Sequence, residues 1–259
     1  MIRAKGLTAG YGPCDVLTGI SVSADAGQFI ALVGPNGSGK STLIKTLGGL
    51  LAHRSGQIRV NDKPLRDLGL RNRARTIAYL AQDRDSQPAM TGQEIITLGR
   101  APYRGHLGHI GKTGQAAINR AVDITKSQAF LKRKFGTLSG GERARVLLAR
   151  ALAVDAPVLL ADEPIAALDP YYQITMMEIL KAEARSGRLV IAALHDLALV
   201  SQFTDHVWVM NRGKIIAEGS PDAVLNVQTL HDVFRIVRPE SGFQTLSVSG
   251  THVRDGCTF

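Results

Sequence analysis

The chain has 259 residues, 44% of them hydrophobic, with 31 Lys and Arg against 22 Asp and Glu for a formal net charge of +9. That is an ordinary globular composition, long enough to bury a substantial core as one large or two modest domains. No apolar run approaches the ~20 residues that span a bilayer, and Met1-Ile2-Arg3-Ala4-Lys5 lacks the apolar stretch of a signal peptide, so a cytoplasmic location is expected. Its cysteines, Cys14 and Cys257, match neither a disulfide framework nor a familiar metal-site spacing, and reduced thiols are expected.

In chain order, the first 27 residues carry short β-like stretches with the dipeptides Ala9-Gly10 and Tyr11-Gly12, a pattern that predicts an antiparallel β layer. Four apolar runs follow, at 29–33, 77–81, 158–161 and 189–194. They are continuous rather than alternating, as strands buried on both faces are. Helical patterns lie around 41–51, 142–153, 171–185 and 196–203. The alternation of strand and helix predicts an α/β core.

Between the first run and its helix stands the loop Gly34-Pro35-Asn36-Gly37-Ser38-Gly39-Lys40-Ser41-Thr42, which matches G-x-x-x-x-G-K-[ST]. A triphosphate brings several negative charges that must be held without water. Glycines let backbone N–H groups approach phosphate oxygens, and the helix beginning near Lys40 aims its positive end at the same point. Lys40 is expected to reach the β- and γ-phosphates, and the Ser41 hydroxyl to coordinate Mg²⁺.

Each apolar run ends in a polar residue: Gly34 after the first, Gln82 after the second, Asp162 and Glu163 after the third, His195 after the fourth. Open parallel sheets bind ligands at that edge. Asp162 is placed to bind Mg²⁺ through a hard oxygen, and Glu163 to polarise an attacking water. His195 is placed to bond the γ-phosphate and fix the water, and Asp196 to cap the following helix.

Residues 83–137 differ in character, with scattered glycines and basic residues and helical stretches near 91–99 and 112–127; they predict an inserted, mainly helical subdomain. Basic clusters occur at Arg71, Arg73 and Arg75, at Lys132, Arg133 and Lys134, and at Arg143 and Arg145. Solvated helix faces, an anionic membrane surface or an acidic partner account for them. Nucleic acid is the weaker reading, because no aromatic residues interleave the clusters.

A second glycine motif, Leu138-Ser139-Gly140-Gly141-Glu142, lies about a hundred residues after the phosphate loop. With it the chain resembles the ATP-binding-cassette ATPases over roughly residues 1–235. The matching elements are the aromatic loop (Tyr11), the Walker A loop (34–42), the glutamine loop (Gln82), the signature (138–142), Walker B (158–163), the D-loop (Ala166-Ala167-Leu168-Asp169) and the switch histidine (His195). The D-loop has Ala166 where serine is usual.

The resemblance implies an α/β fold with a P-loop NTPase core, a mainly parallel sheet, an N-terminal antiparallel β layer and a helical subdomain over about 83–155. The ATPase domain would run over 1–238, followed by a tail over 239–259. It implies ATP and Mg²⁺ as cofactors and adenine stacking by Tyr11. Gln82 would contact Mg²⁺ and the attacking water. Ser139, Gly140 and Gly141 would bind the γ-phosphate of a nucleotide held by a second cassette, with Asp169 coupling the two sites. Two cassettes, a homodimer of this chain or a pair with a different cassette, would therefore close head to tail around ATP.

Within that family, Leu98-Gly99-Arg100-Ala101-Pro102-Tyr103 resembles a segment of the importers of iron siderophores, haem and cobalamin, with Tyr103 in place of the usual histidine. Gly219-Ser220-Pro221, Val224-Leu225 and residues 230–236 resemble the tail of the same group. The implied assembly is an importer with separate transmembrane permease subunits, fed by a periplasmic binding protein, with this chain on the cytoplasmic face of the inner membrane and no nucleic-acid partner. A cassette of a different transporter or of an exporter is the alternative. Soluble cassettes acting on ribosomes or DNA fit less well, since this chain has one Walker A loop and no long coiled coil.

Overall fold

The computed structural model describes residues 1–82, 89–104, 110–237 and 247–248. A six-stranded sheet carries the molecule: β3 (Phe29–Val33), β6 (Ile77–Leu80), β7 (Val158–Asp162), β8 (Leu189–Ala193), β9 (His206–Asn211) and β10 (Lys214–Gly219). Their order across the sheet is β10-β9-β3-β8-β7-β6, parallel except for β10, which runs antiparallel to β9.

The continuous apolar runs have a direct cause. Along β3, Phe29, Ala31 and Val33 enter one hydrophobic cluster while Ile30 and Leu32 enter another on the opposite face. β7 and β8 divide their side chains in the same way. The first cluster is shared with α3 (Gly92–Leu98), α4 (Lys112–Thr125), α5 (Gly140–Leu152), α6 (Pro170–Arg185) and α7 (Leu197–Phe203). The second is shared with α1 (Lys40–Leu47) and the N-terminal β layer.

That layer is larger than the first 27 residues suggest. β1 (Ile2–Tyr11) and β2 (Cys14–Ala24) pair antiparallel, and β4 (His53–Val60) and β5 (Lys63–Pro64) extend the sheet to the order β2-β1-β4-β5. The helix expected over 41–51 stops at Leu47, because Gly48 and Gly49 turn the chain back toward β4. α2 (Gly69–Thr76) then leads into β6.

α3 and α5 both begin with capping boxes, Thr91 with Glu94 and Ser139 with Glu142, each side chain satisfying an N–H group that a helix start leaves open. The two helix starts are stitched together. Thr91 bridges Lys134, the Gly92 amide donates to the Arg133 carbonyl at 3.0 Å, and the Phe135 amide donates to the Met90 carbonyl at 2.8 Å. Asp196 caps α7 as expected, accepting from the amides of Ala198 and Leu199.

After β10, α8 (Pro221–Val224) and α9 (Val227–Phe234) pack onto the core through Val224, Leu225, Leu230 and Val233. The backbone of β11 (Ile236–Val237) pairs antiparallel with β12 (Ser247–Val248). The rest of the expected tail, Cys257 included, lies outside the described residues, while Cys14 is an exposed free thiol. Among the described residues, no helix is long and apolar enough to cross a membrane.

Candidate functional site

Parallel pairing in register brings four strand ends to one edge. Leu32 and Asp162 both stand opposite Ala193, and Leu80 stands opposite Ala161. Gly34, Gln82, Glu163 and His195 therefore emerge side by side from segments scattered along the chain.

The phosphate loop wraps the N-terminus of α1. Gly34 passes so close to the chain that a Cβ there would lie 2.1 Å from the Met210 carbonyl oxygen, so only glycine fits. Lys40 is buried, and its Nζ donates to the carbonyls of Gly34 at 2.9 Å and Pro35 at 3.1 Å. Burial pushes the Lys40 pKa down, against the opposing pull of the Glu163 and Asp162 carboxylates. Asn36 and Gly37 are exposed at the loop tip, whereas Ser38, Gly39 and Thr42 are buried. The Ser38 hydroxyl is closed from solvent and has no hydrogen-bond partner. A loop of open N–H groups around a buried ammonium fits a phosphate chain.

Ser41 Oγ donates to Asp162 Oδ1 at 2.8 Å, and the Tyr79 hydroxyl donates to Asp162 Oδ2 at 3.3 Å. Burial first, and then the Asp162 carboxylate, raise the Tyr79 pKa, so this phenol stays a donor. Among the described residues no group of three or more His, Cys, Asp or Glu could hold a metal ion. The adjoining hydroxyl and carboxylate of Ser41 and Asp162 are instead two hard oxygen donors beside the phosphate loop, of the chemical kind that suits Mg²⁺.

Glu163 has a φ of +51°, a left-handed conformation uncommon outside glycine, immediately after β7 ends. Its carboxylate is gripped on both sides: Gln82 Nε2 donates to Oε2 at 2.8 Å, and His195 Nε2 lies 2.6 Å from Oε1. Little of the Glu163 side chain is exposed, while His195 is open to the edge of the sheet. A carboxylate so oriented is arranged to accept a proton from a water at that edge.

Tyr11, 50% exposed, presents its ring at the end of β1. Ser139, Gly140 and Gly141 start α5, and among the described residues no hydrogen bond joins them to the phosphate loop. They lie instead against the segment before α6 and the first turn of that helix: a Cβ on Gly140 would be 4.0 Å from the Ala167 carbonyl, and one on Gly141 would run into the Tyr172 ring. Asp169 caps α6 through a 3.0 Å bond from the Tyr172 amide. One chain thus unites the residues of the strand ends and leaves those of the second glycine motif as a separate group.

Two contributors escape a reading of the sequence. Tyr79 sits inside an apolar strand and shows its role only through the cross-strand approach to Asp162. The Met210 carbonyl that shapes Gly34 belongs to β9, an element fixed by packing.

Comparison with known proteins places this geometry. Residues 17–166 match the family described as ABC transporter. A hemin import ATP-binding protein of Streptomyces coelicolor is 40% identical over 234 residues, covering 90% of this chain and 83% of the relative. A cobalamin import ATP-binding protein of Halobacterium salinarum is 38% identical, covering 85% and 55%. A petrobactin import ATP-binding protein of Bacillus anthracis is 34% identical, covering 84% and 80%. Among solved structures, a dimeric post-hydrolysis state of an ATP-binding cassette bound to ADP and phosphate is similar, with a TM-score of 0.76, 26% identity and coverage of 85% and 99%. The chain therefore belongs to the ABC transporter family, as an ATP-binding cassette.

Proposed function

We propose that this cassette hydrolyses ATP to drive uptake of a metal chelate of the haem, cobalamin or siderophore class through separate membrane-spanning subunits. The carrying observation is the Glu163 carboxylate held between Gln82 and His195 on the edge that also carries Lys40. Glu163 polarises the attacking water, His195 and Gln82 keep that water and the carboxylate in register, and Lys40 holds the β- and γ-phosphates. Gly34, Pro35, Asn36, Gly37, Ser38, Gly39 and Thr42 shape the loop around those phosphates, and the Tyr11 ring stacks on adenine.

Mg²⁺, when bound, neutralises charge on the phosphates, and Ser41, Asp162 and Gln82 are the residues that would hold it. The separation of Ser139, Gly140 and Gly141 from the phosphate loop supports a second copy of the chain as the partner that completes the site, with Asp169 at the junction. ATP binding would then close the pair and hydrolysis release it, a population shift driven by differential affinity.

The residues of about 83–155 form a helical subdomain of the 1–238 ATPase domain and dock the permease subunits. The chain sits on the cytoplasmic face of the inner membrane, where its basic charge suits an anionic leaflet. A periplasmic binding protein delivers the cargo. The chelate class rests on the hemin, cobalamin and petrobactin import relatives together with the segment from Leu98 to Tyr103.

Uptake of labelled haem, cobalamin and petrobactin in cells lacking this chain tests the assignment. Loss of one supports it and names the cargo, whereas unchanged uptake of all three removes the substrate class. Phosphate release by the purified chain tests the ATPase reading separately.

A further inference from the structure

A side chain of β4 holds the turn on which Tyr11 stands. Tyr11 and Cys14 pair across the two residues Gly12 and Pro13, where β1 passes into β2. Residues 11–15 are all exposed, so burial does little to fix this tip.

Arg54 supplies the hold instead. Its Nη1 donates to the Pro13 carbonyl at 3.2 Å and to Asp15 Oδ1, and its Nη2 donates to the Cys14 carbonyl at 3.3 Å and to the Gly12 carbonyl. Acceptors from four successive residues thus converge on one planar guanidinium, whose rigid fork of donors suits that geometry. The ion pair with Asp15 is open to solvent and adds little stability by itself, so the effect of the contact is to select one conformation of the turn.

The backbone explains why Arg54 reaches there. Between β1 and β4, Thr8 stands opposite Ser55 and Ala9 opposite His53, which leaves Arg54 as the extra residue of a β-bulge. A bulge re-aims its side chain out of the regular alternation of the strand. Between β1 and β2, Ala9 stands opposite Leu17 and Gly10 opposite Asp15, so Val16 is extra in the same way. Val16 and Leu17 press on the Walker A loop, since a Cβ on Gly39 would stand 3.3 and 3.0 Å from their side chains. The hairpin has its foot on the phosphate loop and its tip tied to β4.

We propose that Arg54 is a positioning residue for nucleotide binding: its guanidinium fixes the turn over 12–15 so that the Tyr11 ring meets adenine in one orientation. This role rests on Tyr11 as the adenine-stacking residue. Without the clamp the turn samples other orientations, and affinity for the base falls by the fraction of the time that the ring is misplaced. The phosphate loop keeps its own grip.

The test compares ADP with inorganic pyrophosphate, which share a diphosphate and differ by the nucleoside. Each is titrated calorimetrically into the full chain at constant ionic strength and free Mg²⁺, and a melting curve is taken on every variant. Tyr11→Ala should weaken ADP binding by about 5- to 150-fold, the range for an aromatic–base stack, and leave pyrophosphate unchanged. Arg54→Ala should weaken ADP by about three- to tenfold with pyrophosphate within about twofold of the native chain, and should add nothing in the Tyr11→Ala background. Arg54→Lys, which keeps the charge and loses the fork, should show the same selective loss.

Full ADP affinity in either Arg54 variant, an equal loss of ADP and pyrophosphate, or a loss that persists in the Tyr11→Ala background overturns the proposal while Tyr11 keeps its role. Tyr11→Ala without effect on ADP removes the adenine reading, and the role of Arg54 with it.

Discussion

His195 Nε2 stands 2.6 Å from Glu163 Oε1, across a gap of 32 residues in sequence. The contact exists because β7 and β8 are neighbours in register, so consecutive strand ends deliver a carboxylate and an imidazole to one point. Gln82 closes the other side of the carboxylate, and the three residues form one chain of polar contacts.

Glu163→Gln keeps the shape of this arrangement and removes its basicity. ATP turnover should fall by about 10²–10⁴-fold while ATP still binds, so that an ATP-bound dimer accumulates. Phosphate release and light scattering with ATP check both halves. Turnover at the wild-type rate in this variant would show that another group takes the proton.

Lys40→Ala removes a buried ammonium whose pKa is already held down by burial. Loss of its charge-assisted bonds should weaken ATP binding by about 10- to 150-fold, the equivalent of ~1.5–3 kcal/mol. The nucleotide-free protein should not lose thermal stability, because the variant no longer buries a charge. Calorimetric titration and a melting curve separate the two effects.

The start of α5 should be sensitive to acid. The Ser139 amide donates to the Glu142 carboxylate at 2.8 Å, and this bond, aided by Arg133, holds the Glu142 pKa below its usual 4.5. Because the folded value is the lower one, the stabilisation is complete above the ordinary glutamate range and is lost as pH falls through the depressed value. The difference in melting temperature between the native chain and Glu142→Gln should therefore shrink on acidification from neutral pH to below 4.5. A difference that stays constant across that range would rule the linkage out.

Neighbouring glycines of the signature should respond differently. Gly141→Ala puts a Cβ within 2.5 Å of the Tyr172 ring, and a loss of about 1–3 kcal/mol in unfolding free energy is expected. Gly140→Ala, whose Cβ has 4.0 Å to its nearest neighbour, should cost nothing measurable. Adding Tyr172→Ala to Gly141→Ala should give less than the sum of the two single losses, and denaturant melts read the coupling.

Four strands buried on both faces were readable in the sequence because their apolar runs are unbroken: β3, β6 and β8 fall within the expected segments and β7 runs one residue past its own, while β9, whose side chains also divide between the two clusters, was not among them. β4 and β10 left no such trace. Among β4 residues only Ile58 and Val60 are buried, and β10 alternates exposed with half-buried positions at the sheet margin. Gln82, Asp162, Glu163 and His195 were readable as positions following strands, since a parallel sheet gathers its carboxyl ends. Their mutual hydrogen bonds were not, because those depend on strand order and on the left-handed turn at Glu163.

Some aromatic rings meet the basic clusters only in three dimensions: Tyr103 reaches Arg75 from elsewhere in the chain, and Phe130 and Tyr172 meet Arg145. Those guanidinium groups come from remote positions, a relation that local composition does not record, whereas Arg133 on Phe130 and Arg100 on Tyr103 come from three residues away.

The seam between Thr91 and Lys134 has a mechanical result. With Met90 bonded to Phe135 and Gly92 to Arg133, the entrance of α3 and the approach to Ser139 travel as a single lever. A push at Met90 would thereby reach the turn before Ser139 through backbone contacts alone, without any helix having to bend.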